Sequence, residues 1–268
     1  MRIVEFPLPV AGGHASAQGY LHDVHDAMPV HTVRPCVVVC PGGGYNHCSE
    51  REKDPPALAL FSAGYQVFTL NYSIGDLAKD FRPLMELSLL IMKIREQHVQ
   101  WQVDPGKIAV MGFSAGGHLA GSIGTLWHNE ELTRRLDTNG GQNKPNALVL
   151  CYPVITSGMH ENPGSLQLVS GGDPALRAFF ALENHVDTNT PPTFLWHTAD
   201  DATVPVENTL LFCEALRRHG VPFESHIFQH GKHGLSMCNA EVNSPNPACA
   251  PWFGLCLSWL GQVFGFEA

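Results

Sequence analysis

Short β-branched and apolar runs alternate with stretches of helical period along nearly the whole chain, and that alternation leaves few architectures open. Residues 34–40, 66–71, 107–112, 147–151, 193–197 and 223–228 read as strands. Residues 55–63, 83–98, 115–127, 206–219 and 252–264 read as helices. In the second of these, Leu84, Leu87, Leu90, Ile91 and Ile94 recur at the spacing of one helix face. A sheet covered on both faces shows strands that are apolar without a break, as in Cys36-Val37-Val38-Val39-Cys40. The expected fold class is therefore α/β, a mostly parallel central sheet flanked by helices on both faces. Short alternating runs before Arg34 predict antiparallel edge strands. Asp104-Pro105-Gly106 predicts a turn, and residues 152–192 and 239–251 read as long irregular segments of the kind that line pockets. At 268 residues with no internal repeat, residues 1–268 read as one domain.

Lys and Arg number 16 against 25 Asp and Glu, a formal charge of −9. Binding to nucleic acid or to an anionic membrane begins with a basic surface, so neither is an expected partner. Charged residues make up 15% of the chain, below the roughly 25% of ordinary globular proteins, which suits neutral ligands. The most apolar stretch, residues 84–94, carries Glu86 and Lys93 and falls far short of the ~20 residues of a membrane helix. Glu5 and Pro7 interrupt any secretory h-region. The eight Cys form no CxxC pair, and Cys36 and Cys40 read as small hydrophobes in a buried strand. His22 and His25 stand at i,i+3, a spacing that does not by itself make a metal site. A cytoplasmic location, no metal and no cofactor are the expectations, and oligomeric state is not readable.

Gly112-Phe113-Ser114-Ala115-Gly116 fits GxSxG, and its position between the strand at 107–112 and the helix at 115–127 is what a nucleophile elbow requires. The small residues at 112 and 116 let neighbouring backbone pass close to a sharply turned Ser114. A serine hydroxyl needs a base to take its proton, and in this architecture the base is a late His with an acid between. His233, in Gly231-Lys232-His233-Gly234, follows the last predicted strand between glycines and is preferred to His230. Asp200 and Asp201 both follow the strand at 193–197. Asp201 is preferred, with Val204-Pro205 placed to enter the next helix. Pro41-Gly42-Gly43-Gly44-Tyr45 follows the strand at 34–40, where N–H groups of Gly43 and Gly44, with that of Ala115, are expected to face a tetrahedral oxyanion. No Gly-Lys-Ser/Thr follows, so the run is not a phosphate loop. Tyr45 and His47 are candidates for substrate contact. Trp127 is another, with core packing as its alternative. Arg51 and Glu52 are placed to brace the glycine loop, and His118 to be buried and hydrogen-bonded.

At these residues the chain resembles the α/β-hydrolase superfamily, specifically bacterial carboxylesterases related to acetyl-xylan esterases and the BD-FAE group of esterases. The resemblance covers nearly the whole chain. It rests on Pro41-Gly42-Gly43-Gly44-Tyr45, Ser49-Glu50-Arg51-Glu52, Asn71-Tyr72-Ser73, Gly112-Phe113-Ser114-Ala115-Gly116-Gly117-His118, Tyr152-Pro153-Val154-Ile155, the block from Thr190 to Asp201, and Gly231-Lys232-His233-Gly234. The family's nucleophile, acid and base fall on Ser114, Asp201 and His233. Pro41 stands where lipase-type relatives carry the His of His-Gly-Gly-Gly, a departure that fits the acetyl-esterase branch. What the resemblance implies is removal of small acyl groups, above all acetyl, from sugar hydroxyls such as those of xylo-oligosaccharides. The partner would then be a small-molecule or oligosaccharide ester. An amidase, arylformamidase or small peptidase with the same triad is the alternative enzyme reading. A non-catalytic hydrolase-like binding protein is the alternative of another class.

Overall fold

The computed structural model describes residues 1–27 and 31–267. Eight strands form one sheet: β1 (Arg2–Pro7), β2 (Ser16–Leu21), β3 (Arg34–Cys40), β4 (Gln66–Asn71), β5 (Val103–Phe113), β6 (Ala147–Cys151), β7 (Thr193–Thr198) and β8 (Phe223–Phe228). Their spatial order is β1-β2-β4-β3-β5-β6-β7-β8. The β1/β2 and β2/β4 pairs are antiparallel and the remaining pairs parallel, as the sequence pattern predicts. The helices among the described residues are α1 (Asp54–Ser62), α2 (Arg82–Glu96), α3 (His98–Trp101), α4 (Ala115–Leu126), α5 (Glu130–Thr133), α6 (Pro163–Ser170), α7 (Pro174–Phe179), α8 (Glu207–Arg218) and α9 (Trp252–Phe264).

Alternate side chains of the central strands supply two apolar layers. Val38, Val110, Leu148, Leu150 and Leu195 face α2, α4 and α8. Val37, Val39, Met111, Phe113, Val149 and Trp196 face α1 and α9, where Trp252 stacks on Trp196 at 4.9 Å. From β3 the chain crosses to β4 on one side, and from β5 it proceeds to β6 on the other. That reversal opens a crevice at the carboxyl ends of β3 and β5, where open α/β sheets bind ligands.

Three expectations are corrected. Asp104-Pro105-Gly106 lies inside β5. Arg34 pairs with Val103 but Cys36 with Ile108, so the extra residues leave the ladder as a bulge. The Asp104 carboxylate accepts the Gly106 N–H at 2.9 Å there, so the turn chemistry is real but is absorbed by a continuing strand. Residues 152–192 are not irregular throughout, because they hold α6 and α7. Each of these helices starts on a side-chain cap followed by proline: Asn162 accepts the Ser165 N–H, and Asp173 accepts those of Ala175 and Leu176. Both helices are too short for an apolar period to reveal. The predicted helix at 83–98 also breaks after Glu96 and resumes as α3.

The sheet and α4 meet closely at the crevice. A methyl group at Gly116 would overlap the carbonyl oxygens of Cys40 and Pro41, which are backbone atoms at the end of the buried strand β3. Gly116→Ala is therefore expected to lose about 3 kcal/mol or more of unfolding free energy in urea titrations. Gly254 in α9 has open space around its Cβ position and ordinary backbone, so Gly254→Ala should gain about 0.5–1 kcal/mol. Equal effects of the two substitutions would contradict this packing.

Candidate active site

Ser114 caps the N-terminus of α4 with φ 55° and ψ −117°, a conformation a side-chain-bearing residue holds only when its surroundings impose it. Its N–H donates to Cys151 O at 2.9 Å, and its carbonyl accepts from His118 at 3.0 Å and Val154 at 3.1 Å. A methyl group at Gly112 would overlap the Gly116 carbonyl, so the turn closes only with glycine there. The result is a hydroxyl presented above the β5 terminus on a backbone fixed from both sides.

The loops after β7 and β8 bring the remaining candidates to it. The Ser114 hydroxyl donates to His233 Nε2 at 2.7 Å, and His233 Nδ1–H donates to Asp201 Oδ2 at 2.7 Å. Since a carboxylate only accepts, the proton sits on Nδ1 and leaves Nε2 free to accept. Asp201 Oδ1 takes the N–H groups of Thr203 at 2.8 Å and Val204 at 3.0 Å. Burial alone would raise the Asp201 carboxyl. Hydrogen bonds from His197 and His233, with the Val204 N–H, outweigh burial and hold it well below the usual carboxylate range. Asp200 pairs instead with His230 at 2.9 Å, both exposed at the surface, and takes the Gly231 N–H at 2.8 Å. Of the two rival pairs, only Asp201 and His233 connect to Ser114.

The glycine loop is a built turn. Gly43 has φ 121° and Gly44 φ 64°. The N–H groups of Asn46 and His47 both close on Gly43 O, at 3.0 and 3.2 Å. A Cβ at Gly42 would stand 3.1 Å from that of Ser114, so the loop abuts the elbow, and Ala115 opens α4 beside it. His47 is exposed, its ring packed over Gly43.

Tyr45 requires a correction. Its side chain is buried rather than turned to the mouth, because φ 59° swings it under the loop. There its hydroxyl meets His118 Nδ1 at 2.9 Å and its ring packs edge-on to Tyr72. Trp127 also lies away from Ser114, just past the far end of α4, its ring tilted against His128 and under the Lys144 ammonium. Two residues near the site are not singled out by the sequence analysis. His197, fully buried, places Nε2 3.4 Å from Asp201 Oδ2. Ser165 of α6 places its hydroxyl next to Gly44. The cap-and-proline start of α6 was the available signal for Ser165, and nothing local marked His197.

Residues 23–216 match the BD-FAE family model. The chain is 35% identical over 218 residues to endo-1,4-beta-xylanase B of Butyrivibrio fibrisolvens, covering 79% of this chain and 34% of that protein. It is 29% identical over 227 residues to the acetylxylan esterase of Xylanibacter ruminicola, covering 78% of this chain and 42% of that one. It thus spans well under half the length of these two relatives. The crystal structure of an acetyl ester-xyloside bifunctional hydrolase from Caldicellulosiruptor lactoaceticus superposes with a TM-score of 0.80 at 38% identity, over 95% of this chain and 90% of that one. The fold is that of the α/β hydrolases.

His118 supports the glycine loop from α4 and supplies a pH test. Its Nε2–H donates to Phe180 O at 3.1 Å, which leaves Nδ1 to accept the Tyr45 hydroxyl. Burial lowers its pKa to about 4. Unfolded, the imidazole takes a proton below about 6.5; folded, it resists until about 4. The stability tied to its neutral form is therefore complete above pH 6.5 and declines as pH falls from 6.5 to 4. Urea unfolding at steps across that window should show a steeper decline for the native chain than for His118→Gln. Parallel curves would contradict the assignment.

Proposed function

We propose, from the premise that this chain belongs to the BD-FAE family, that it is a carboxylic ester hydrolase, a serine esterase that removes acetyl groups from the hydroxyls of xylose-based oligosaccharides. The observation that carries the chemistry is the unbroken chain Asp201–His233–Ser114, with both links at 2.7 Å, on a strained elbow. Ser114 Oγ attacks the ester carbonyl while His233 Nε2 takes its proton, and the Asp201 carboxylate stabilises the imidazolium that forms. The N–H groups of Gly43, Gly44 and Ala115 receive the oxyanion in the crevice, where α4 also directs its positive end. His233 then protonates the departing sugar alkoxide. Water enters, gives its proton to His233 and attacks the acetyl-Ser114 carbonyl, releasing acetate and restoring the hydroxyl.

The acetyl and sugar specificity draws on the named activities of the acetylxylan esterase and the acetyl ester-xyloside hydrolase, and on the low charge of this chain. The same reading takes residues 1–268 as one catalytic unit and His47 as a residue at the substrate mouth, beside the donors rather than among them.

Hydrolysis of p-nitrophenyl esters from acetate to octanoate, alongside acetylated xylo-oligosaccharides, tests the proposal. Acetate and the acetylated sugars should be the preferred substrates. Ser114→Ala should reduce turnover by about 10⁴-fold or more. Asp201→Asn should cost about 10⁴-fold, while Asp200→Asn, at an exposed pair, should change it by less than about threefold. Preference for long acyl chains with the sugars untouched would discard the substrate. Turnover of matched amides in place of esters would move the chemistry to an amidase.

A further inference from the structure

Beneath the crevice lies a buried carboxylate that the Ser–His–Asp chain does not use. Glu52 is only 3% exposed, and the neighbouring Arg51 reaches away to Ser244 Oγ at 3.2 Å rather than to it. Burying a carboxylate without a cation is expensive, and apolar replacements often serve stability better, so packing does not account for it. Its two oxygens have separate duties. Oε2 accepts the Gly42 N–H at 3.1 Å, and Oε1 accepts the Tyr152 hydroxyl at 2.7 Å.

Each contact leads to a different catalytic loop. Gly42 precedes the expected oxyanion donors and lies against Ser114. Tyr152, directly after β6, has φ 38°, an arrangement maintained by its N–H bond to Trp196 O at 2.7 Å. Its ring stands edge-on to His233 with centroids 5.1 Å apart, and its hydroxyl accepts the Ser236 N–H at 2.9 Å. Ser236, itself at φ 50°, donates its hydroxyl to Arg51 O at 2.5 Å and accepts Trp252 Nε1–H at 2.9 Å. The residue before Tyr152 accepts the Ser114 N–H. Loops after β3, β6 and β8 therefore meet through one carboxylate and one phenol, and the β6 backbone ties them to the Ser114 turn.

Resting on the esterase reading, we propose that Glu52 is a positioning residue, which with Tyr152 holds the Gly42–Gly44 donors and the His233 ring in register around Ser114. A carboxylate fits because both of its ends must accept. In Glu52→Gln the amide nitrogen opposes either the Gly42 N–H, donor against donor, or the Tyr152 hydroxyl, whose proton must then turn away from a site already receiving the Ser236 N–H. Shape is kept while the register is released.

The test uses Glu52→Gln, Tyr152→Phe and the double variant, with rates expressed per site titrated by a serine-directed phosphonate, so that an unfolded fraction does not count. For p-nitrophenyl acetate, Glu52→Gln should lower kcat about 10- to 100-fold, the scale set by small misplacements of reacting groups, with KM within about threefold. Inhibition by a trifluoromethyl ketone, whose adduct with Ser114 carries an oxyanion, should weaken in parallel. Tyr152→Phe should act in the same direction, and the double variant should be no worse than about the poorer single one, because both break one connection. A kcat within threefold of the native chain, a loss confined to KM, unweakened ketone inhibition, or additive losses would each overturn the proposal. If the native chain is labelled by the phosphonate but hydrolyses no ester, the esterase reading fails, and the labelling rate constant carries the same comparison for Glu52. If Ser114 is neither labelled nor active, both readings fall.

Discussion

Ser114 is held at φ 55° because two glycines, Gly112 and Gly116, allow β5, α4 and the end of β3 to come within contact of one another. That steric constraint is the condition for everything around the crevice. It turns the chain sharply enough that a hydroxyl stands clear at the head of a helix, and it brings the glycine loop after β3 against the elbow. The strain is sustained by the two apolar layers on either side of the sheet, which fix the strands, and by backbone hydrogen bonds to Cys151, Val154 and His118 that fix the turn itself.

Electrostatics then divide the work among buried groups by what each can donate or accept. Asp201 is nearly buried yet remains an anion, because two backbone N–H groups and two imidazoles more than offset the desolvation. His118 is buried and remains neutral, because its partners are a hydroxyl and a carbonyl and no carboxylate attends it. Glu52 is buried between a backbone N–H and a phenol, a setting that wants an acceptor at both ends. The three groups lie around one crevice and shape the positions of His233, the Tyr45 side of the glycine loop and Gly42 respectively.

Much of this was legible in the sequence, for identifiable reasons. Strands such as β3 and β6 announce themselves because burial on both faces demands unbroken apolar runs between turn residues. Ser114, Asp201 and His233 were marked by their places after three strands, and the structure brings those three side chains together. What stayed hidden depends on contacts remote in sequence. Tyr45 sits in a glycine-rich run that looks exposed, yet its positive φ and its bond to His118, 73 residues on, take the ring inward. Helices α6 and α7 are too short to show a period. Tyr152 and Glu52 are 100 residues apart, so no local pattern could join them.

The central claim is that Ser114 forms a covalent acyl intermediate, activated by His233 at 2.7 Å. The direct measurement is rapid acid quenching of the protein milliseconds after mixing with p-nitrophenyl acetate, followed by peptide mapping by mass spectrometry. The account predicts one acetyl group, on Ser114, forming with the burst of p-nitrophenol and absent from Ser114→Ala. A burst with acetyl on another residue, or ester turnover with Ser114 never acetylated, would contradict it.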